Sequence, residues 1–122
     1  MGSVIKAKCS CGYKSEELLL GGGFRNFMTE CAVPFYCDHC KKVFTLNILD
    51  KNGLIQDCHC PRCKRKVHYY GYIKEGTYEY NEDYVFDWRV NSENRYFLPE
   101  GLHHCPKCKK DKLQFYETAC WD

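Results

Sequence analysis

The sequence predicts a small, metal-stabilised and mostly antiparallel β protein. Three observations point there. Four short cysteine clusters punctuate the chain: Cys9-Ser10-Cys11, Cys37-Asp38-His39-Cys40, Cys60-Pro61-Arg62-Cys63 and Cys105-Pro106-Lys107-Cys108. The stretches between them are rich in β-branched and aromatic residues and are bounded by Gly and Asn, the composition of short strands and turns. No stretch carries the apolar spacing of a long amphipathic helix.

The cysteine pairs carry the most chemistry. Two such pairs supply four thiolates, the ligand set of a closed tetrahedral zinc site, so four pairs make two sites. With 122 residues the chain forms one compact domain or two very small ones. A unit of about 50 residues rarely buries enough apolar surface to fold unaided, and metals or disulfides then supplement the core. Disulfides are the weaker reading. The eleven cysteines are odd in number, the start Met1-Gly2-Ser3-Val4-Ile5-Lys6 has no apolar signal region, and Cys-x-x-Cys pairs sit too close for structural bridges. No apolar run approaches the length of a membrane-spanning helix. Lys6 stands where a myristoylation signal has Ser or Thr. A cytoplasmic protein without membrane attachment is expected.

The chain divides into 1–57 and 58–122, each a cysteine knuckle, a strand, a loop, a second knuckle and a strand. In the first unit, Tyr13 to Leu20 follows the first knuckle and Gly21-Gly22-Gly23 interrupts it. Val33-Pro34-Phe35-Tyr36 leads to the second knuckle. Lys42 to Leu49 reads as a strand, turned by Lys51-Asn52-Gly53 into Leu54-Ile55-Gln56. In the second unit, Lys64 to Ile73 reads as a strand, and Glu75-Gly76 turns the chain. Tyr78 to Val90 alternates, with Tyr78, Tyr80, Tyr84, Phe86, Trp88 and Val90 on one face. Leu113 to Thr118 is the last strand. Residues 75–100 form an acidic, aromatic insertion.

These residues resemble the zinc ribbon (rubredoxin-like) superfamily, β-rich modules in which two knuckles clamp one metal. Both Cys-Pro-x-Cys knuckles match it, Cys37/Cys40 matches the plain Cys-x-x-Cys form, and Cys9/Cys11 is one residue short. The resemblance implies two rubredoxin-like modules in tandem with two structural zinc ions. It implies sequential pairing: Cys9, Cys11, Cys37 and Cys40 on one metal, Cys60, Cys63, Cys105 and Cys108 on the other. The competing arrangement is a cross-brace of alternate pairs, as in RING-type ligase domains. Rubredoxin knuckles continue with Gly, whereas Lys41, Lys64 and Lys109 follow three of the pairs here, which favours zinc over iron. Cys58 is a rival for Cys60. Cys31 and Cys120 read as small packed thiols, and His39, His59, His103 and His104 as exposed neighbours of the knuckles.

Charge and pattern suggest a binding role. The formal net charge is +2, but eight ligand thiolates on two divalent ions would bring it to about −2. Alternation after the third knuckle places Lys64, Lys66, His68, Tyr70 and Tyr72 on one face. Arg62 and the partner-knuckle cations Lys107, Lys109 and Lys110 extend it into one basic patch around the second metal. Cations for phosphates with rings for bases suit RNA or DNA, the expected partner. The alternative is a protein–protein adaptor using the acidic aromatic insertion. A rubredoxin-like electron carrier comes third. No Ser/His/Asp set, HExxH or paired carboxylates stands out, and the glycine triplet lacks the Gly-Lys-Ser/Thr of a phosphate loop, so no catalytic residue is assigned.

Overall fold

The computed structural model describes residues 2–22, 30–75, 84–90 and 94–121, and at 120 and 121 the backbone alone. Its strands are β1 (Gly2–Cys9), β2 (Leu18–Gly21), β3 (Ala32–Cys37), β4 (Lys42–Asn47), β5 (His68–Tyr69), β6 (Tyr72–Glu75), β7 (Tyr84–Arg89), β8 (Asn94–Pro99), β9 (His103–His104) and β10 (Asp111–Trp121). The described residues contain no helix, and none long and apolar enough to cross a membrane.

The larger sheet runs β4-β3-β2-β1-β10-β9, with β5 added to β3; the smaller runs β6-β8-β7. All the pairings are antiparallel. The central pairing joins segments more than 100 residues apart, with β1 against β10 from Gly2↔Trp121 to Cys9↔Leu113. A strand over Gly2–Cys9 is not among the elements expected from the sequence. Yet Ile5, Ala7 and Cys9 are buried while Lys8 is exposed and Lys6 half-buried, the period-two pattern of a strand with one face inward. The β1–β10 and β3–β5 pairings both cross the 57/58 division.

The expected strand at Lys42–Leu49 is observed as β4, and its turn is closed by Gly53 N–H to Asp50 O at 3.0 Å and Asp50 N–H to Leu54 O at 2.8 Å. The run Lys64 to Ile73 is corrected. It splits into β5 and β6 because the chain bends at Tyr70-Gly71, with Gly71 in the left-handed region at φ 80°. Of the run Tyr78 to Val90, only 84–90 is described, as β7 and the residue after it; Tyr78, Tyr80, Glu79, Glu82 and Asp83 lie outside the described residues.

One core serves both sheets. Ile5, Leu20, Val33, Phe35, Ile48, Leu98 and Leu113 are buried in a single cluster, which also takes in Cys9, Cys37, Cys60 and Cys105. The bend at Tyr70-Gly71 ties the smaller sheet to it. Tyr70 N–H donates to Pro34 O at 2.9 Å. The hydroxyl of fully buried Tyr96 donates to the Tyr70 carbonyl.

At Gly71 a Cβ would collide with the Phe97 carbonyl and lie 2.9 Å from the Tyr96 hydroxyl. Backbone cannot yield as a flexible side chain can. Gly71→Ala is therefore expected to lower unfolding stability by about 2–4 kcal/mol, as read by denaturant titration of the metal-loaded protein. A loss below about 1 kcal/mol would show that the bend relaxes.

Candidate metal centres

Each knuckle buries its first cysteine and turns its second outward. Cys9, Cys37, Cys60 and Cys105 are buried; Cys40, Cys63 and Cys108 are half-buried and Cys11 is exposed. The first sulfurs are thus fixed by the core and the second by the turn that follows. Gly12 N–H returns to Cys9 O at 3.0 Å, Lys64 N–H to Cys60 O at 2.9 Å and Lys109 N–H to Cys105 O at 2.8 Å. A backbone that reverses so tightly needs a left-handed residue, and Gly12, Lys41, Lys64 and Lys109 have φ of 102°, 56°, 66° and 63°. The short Cys9-Ser10-Cys11 knuckle ends the same way as the longer three.

The eight cysteines form two groups, Cys37, Cys40, Cys60 and Cys63, and Cys9, Cys11, Cys105 and Cys108, each with its sulfurs within 4.8 Å of one another. Sequential pairing is therefore corrected, and so is the cross-brace. The arrangement is nested: the middle knuckles share an inner group, and the first and last share an outer one. The physical reason is the sheet. Pairing of β1 with β10 carries Cys9 to Leu113, beside the last knuckle, while β3 holds Cys37 at its end and takes β5 at its edge. Neither group falls within 1–57 or 58–122.

Spacing fits a tetrahedral ion. Sulfurs 2.3 Å from one metal lie about 3.8 Å apart along each tetrahedral edge. Cys9–Cys108 is 3.7 Å, Cys11–Cys105 3.8 Å, Cys37–Cys63 3.5 Å and Cys40–Cys60 3.8 Å. These distances are too long for disulfides, and the described cysteines are free. With four thiolates at the corners, no coordination position is left for a substrate.

Backbone amides pre-charge the sulfurs unequally. Burial opposes ionisation of Cys60, but the amides of Cys63 and Arg62 outweigh it and bring the thiol down to about 6. The Tyr13 amide, against some burial, brings Cys11 down to about 7. Burial holds Cys40 up to about 12, reinforced by Cys60, Cys63 and Cys37. Burial likewise raises Cys105 to about 12 against the amides of Cys108 and Lys107. Without a cation, ionising one thiol holds its neighbour neutral.

Cys58 is outside the inner group. Its thiol points to Asn47 O at 3.5 Å, so it does not replace Cys60. Cys31 is fully buried, which raises its thiol to about 12. The Cys120 side chain lies outside the described residues. His39 and His59 are exposed, but His103 and His104 are half-buried: His103 packs edge-on to Tyr70 and Phe115, and His104 Nε2 meets Asp38 Oδ1 at 2.9 Å.

The expected basic residues do not flank a single metal group. Arg62 and Lys64 belong to a knuckle of the inner group, Lys107, Lys109 and Lys110 to a knuckle of the outer one. Tyr70 is buried, its hydroxyl donating to His104 O at 2.6 Å and its ring against Tyr36 and Phe115. It cannot stack on a base. Lys66 lies 3.7 Å from Asp57, and Lys109 lies 3.0 Å from Asp38. Arg62, Lys64, His68, Lys107 and Lys110 remain exposed. Sequence reading missed Tyr36, whose half-buried ring sits 6.5 Å from His68 and 4.9 Å from His104; its position one residue before a knuckle was the only signal.

No protein-family model, curated protein or solved structure significantly matches the chain. The two four-cysteine groups are consistent with a zinc-ribbon-like module.

Two outcomes are expected. Because Cys40 and Cys105 stay protonated well above neutral pH, a metal must displace at least one proton from each group. Affinity should rise at least tenfold per pH unit per group from pH 7 to 9 in chelator competition, and loading in weak buffer should acidify the solution. A pH-independent affinity would contradict the thiol assignment. At position 64 the left-handed turn sets a rank order of stability, Gly above Lys above Val, with Lys64→Val losing about 1 kcal/mol. Equal stabilities in denaturant would show that the turn exerts no strain.

Proposed function

We propose that the chain is a zinc-stabilised binding module whose two four-cysteine groups each hold one structural zinc ion. The observation that carries this is the sulfur spacing of 3.5–3.8 Å in both groups. Zinc there would make folding and metal binding a single event. Lysine rather than glycine after three knuckles supports zinc over iron, and colour distinguishes them: a ferric tetrathiolate is red, the zinc form colourless.

The partner we propose is single-stranded nucleic acid. Its support is the exposed cations Arg62, Lys64, Lys107 and Lys110 on the rims of both centres, and the exposed His68 ring beside Tyr36. Cations held on rigid turns can meet phosphates while a ring accepts a base. A protein partner is the second reading, favoured by a groove of about 260 Å³ lined by Ser3, Tyr84, Asp87, Trp88 and Glu117. Tyr84 is 43% exposed there, and the buried Trp88 Nε1 has no hydrogen-bond partner among the described residues.

The test is metal analysis followed by titration of the loaded protein into labelled single-stranded RNA and DNA over a salt series. Two zinc ions per chain are expected, with loss of fold on chelation. Replacing Arg62, Lys64, Lys107 and Lys110 with Gln should spare the fold and lower the salt slope by about 3, near 0.7 per lost phosphate contact. Absence of binding at low salt would remove the nucleic-acid reading and leave the β7 groove to be tested with protein partners.

A further inference from the structure

The two metal centres touch. Asp38, in the turn between Cys37 and Cys40, reaches the last knuckle from the inner group. Its Oδ1 accepts from Lys109 Nζ at 3.0 Å and meets His104 Nε2 at 2.9 Å, and its carbonyl accepts from the same Nζ at 2.7 Å. Lys109 follows Cys108 and His104 precedes Cys105, both ligand positions of the outer group. Two further bonds span the centres. The Val43 amide, just past the inner knuckle, donates to the Tyr13 hydroxyl at 2.8 Å, and Tyr13 O accepts from Cys9 N–H at 3.0 Å. Tyr70 donates to His104 O at 2.6 Å.

Each contact needs both knuckle turns in their folded shape. The turns differ in how hard they are to close. The inner group bridges residues 20 to 26 apart in sequence, the outer group residues 94 to 99 apart. Closing a loop about four times longer costs more chain entropy, so the inner group is the easier to form first. Once closed, it presents Asp38 and the Val43 amide as a ready docking surface for the outer knuckles.

We propose that the Asp38 strut couples the two metal centres, so that filling the inner group raises the affinity of the outer one. This rests on the reading of both groups as metal sites. Coupling of this kind is reciprocal: the outer metal must tighten the inner by the same factor. The one-metal species is then less populated than two independent sites would make it. A nucleic-acid or protein partner that needs both rims would favour the two-metal form.

The experiment is a zinc titration of the metal-free protein, with the zero-, one- and two-metal species counted by native mass spectrometry in the presence of a competing chelator. The ratio of second to first stepwise constants is measured in wild type, Asp38→Ala, Lys109→Asn and the double variant. Asn tolerates the left-handed turn at position 109, and Asp38 is exposed, so the fold is retained; circular dichroism of each two-metal form checks this. The ratio is expected to fall about fivefold in either single variant, and in the double variant by less than the product of the two, because both remove the ion pair between Lys109 and the Asp38 carboxylate. An unchanged ratio in Asp38→Ala and Lys109→Asn would overturn the coupling. Failure to take up zinc at all would overturn instead the reading of the groups as metal sites.

Discussion

Everything in this fold depends on bringing residues 9 and 11 to residues 105 and 108. Pairs 94 to 99 residues apart are costly to bring together, since the entropy of closing so long a loop must be offset by something. Here β1 and β10 pair along eight residues of β1, and the outer four-cysteine group sits where that pairing begins. Sheet and metal centre therefore support each other. Hydrogen bonds set the register that brings the sulfurs to tetrahedral spacing, and a metal there would pin the register. The inner group does the same over a short span, fixing β3, β4 and the third knuckle. The large sheet is the frame between the two.

This nesting explains the burial pattern. The first cysteine of each knuckle is part of the hydrophobic cluster beside Phe35, Leu113 and Phe115, and the second lies nearer the surface. A thiolate in such a position would be costly if its charge were not met by amides and by a cation. The amides are supplied by the turns themselves, as at Cys60 and Cys11. The same left-handed turns hold Lys41, Lys64 and Lys109 directly after the second cysteine of three knuckles. Glycine would adopt that conformation without strain, so these lysines are kept in a less favoured backbone at a modest cost. Their charge would partly offset the net negative charge of any tetrathiolate centre formed there.

The gathering of the cysteine pairs into four-thiol groups and part of the secondary structure were legible in the sequence. Cysteine pairs announce a four-thiolate centre whatever the topology, because spacing within a knuckle is a local property. The strand at Lys42–Asn47 and its Asp50–Gly53 turn were equally local. Pairing between knuckles was not, because it depends on which strands meet. The alternation of Ile5, Ala7 and Cys9 with Lys6 and Lys8 signalled a strand before the first knuckle, and a strand there has to pair with something. Following it would have suggested a role for the N-terminal segment in the sheet, though not β10 as its partner. Tyr70 failed for a related reason. Strict alternation from Lys64 put it on the solvent side, but the left-handed residues at 64 and 71 break the period on both sides of it.

The correction at Tyr70 bears on where a partner could bind. With Tyr70 inside, the aromatic part of the surface shifts to Tyr36, whose ring lies 5.0 Å from Tyr70, 6.5 Å from His68 and 4.9 Å from His104. These rings lie between the two centres, because Tyr36 precedes Cys37 and His104 precedes Cys105. Asp38 beside it repels phosphate, and its bonds to Lys109 and His104 reduce that field. Any nucleic acid on this face would then meet its cations at the two rims and its rings in the middle. Such a surface is complete only when both knuckle turns are formed. The fold and any recognition on this face would thus depend on the same two groups of sulfur atoms.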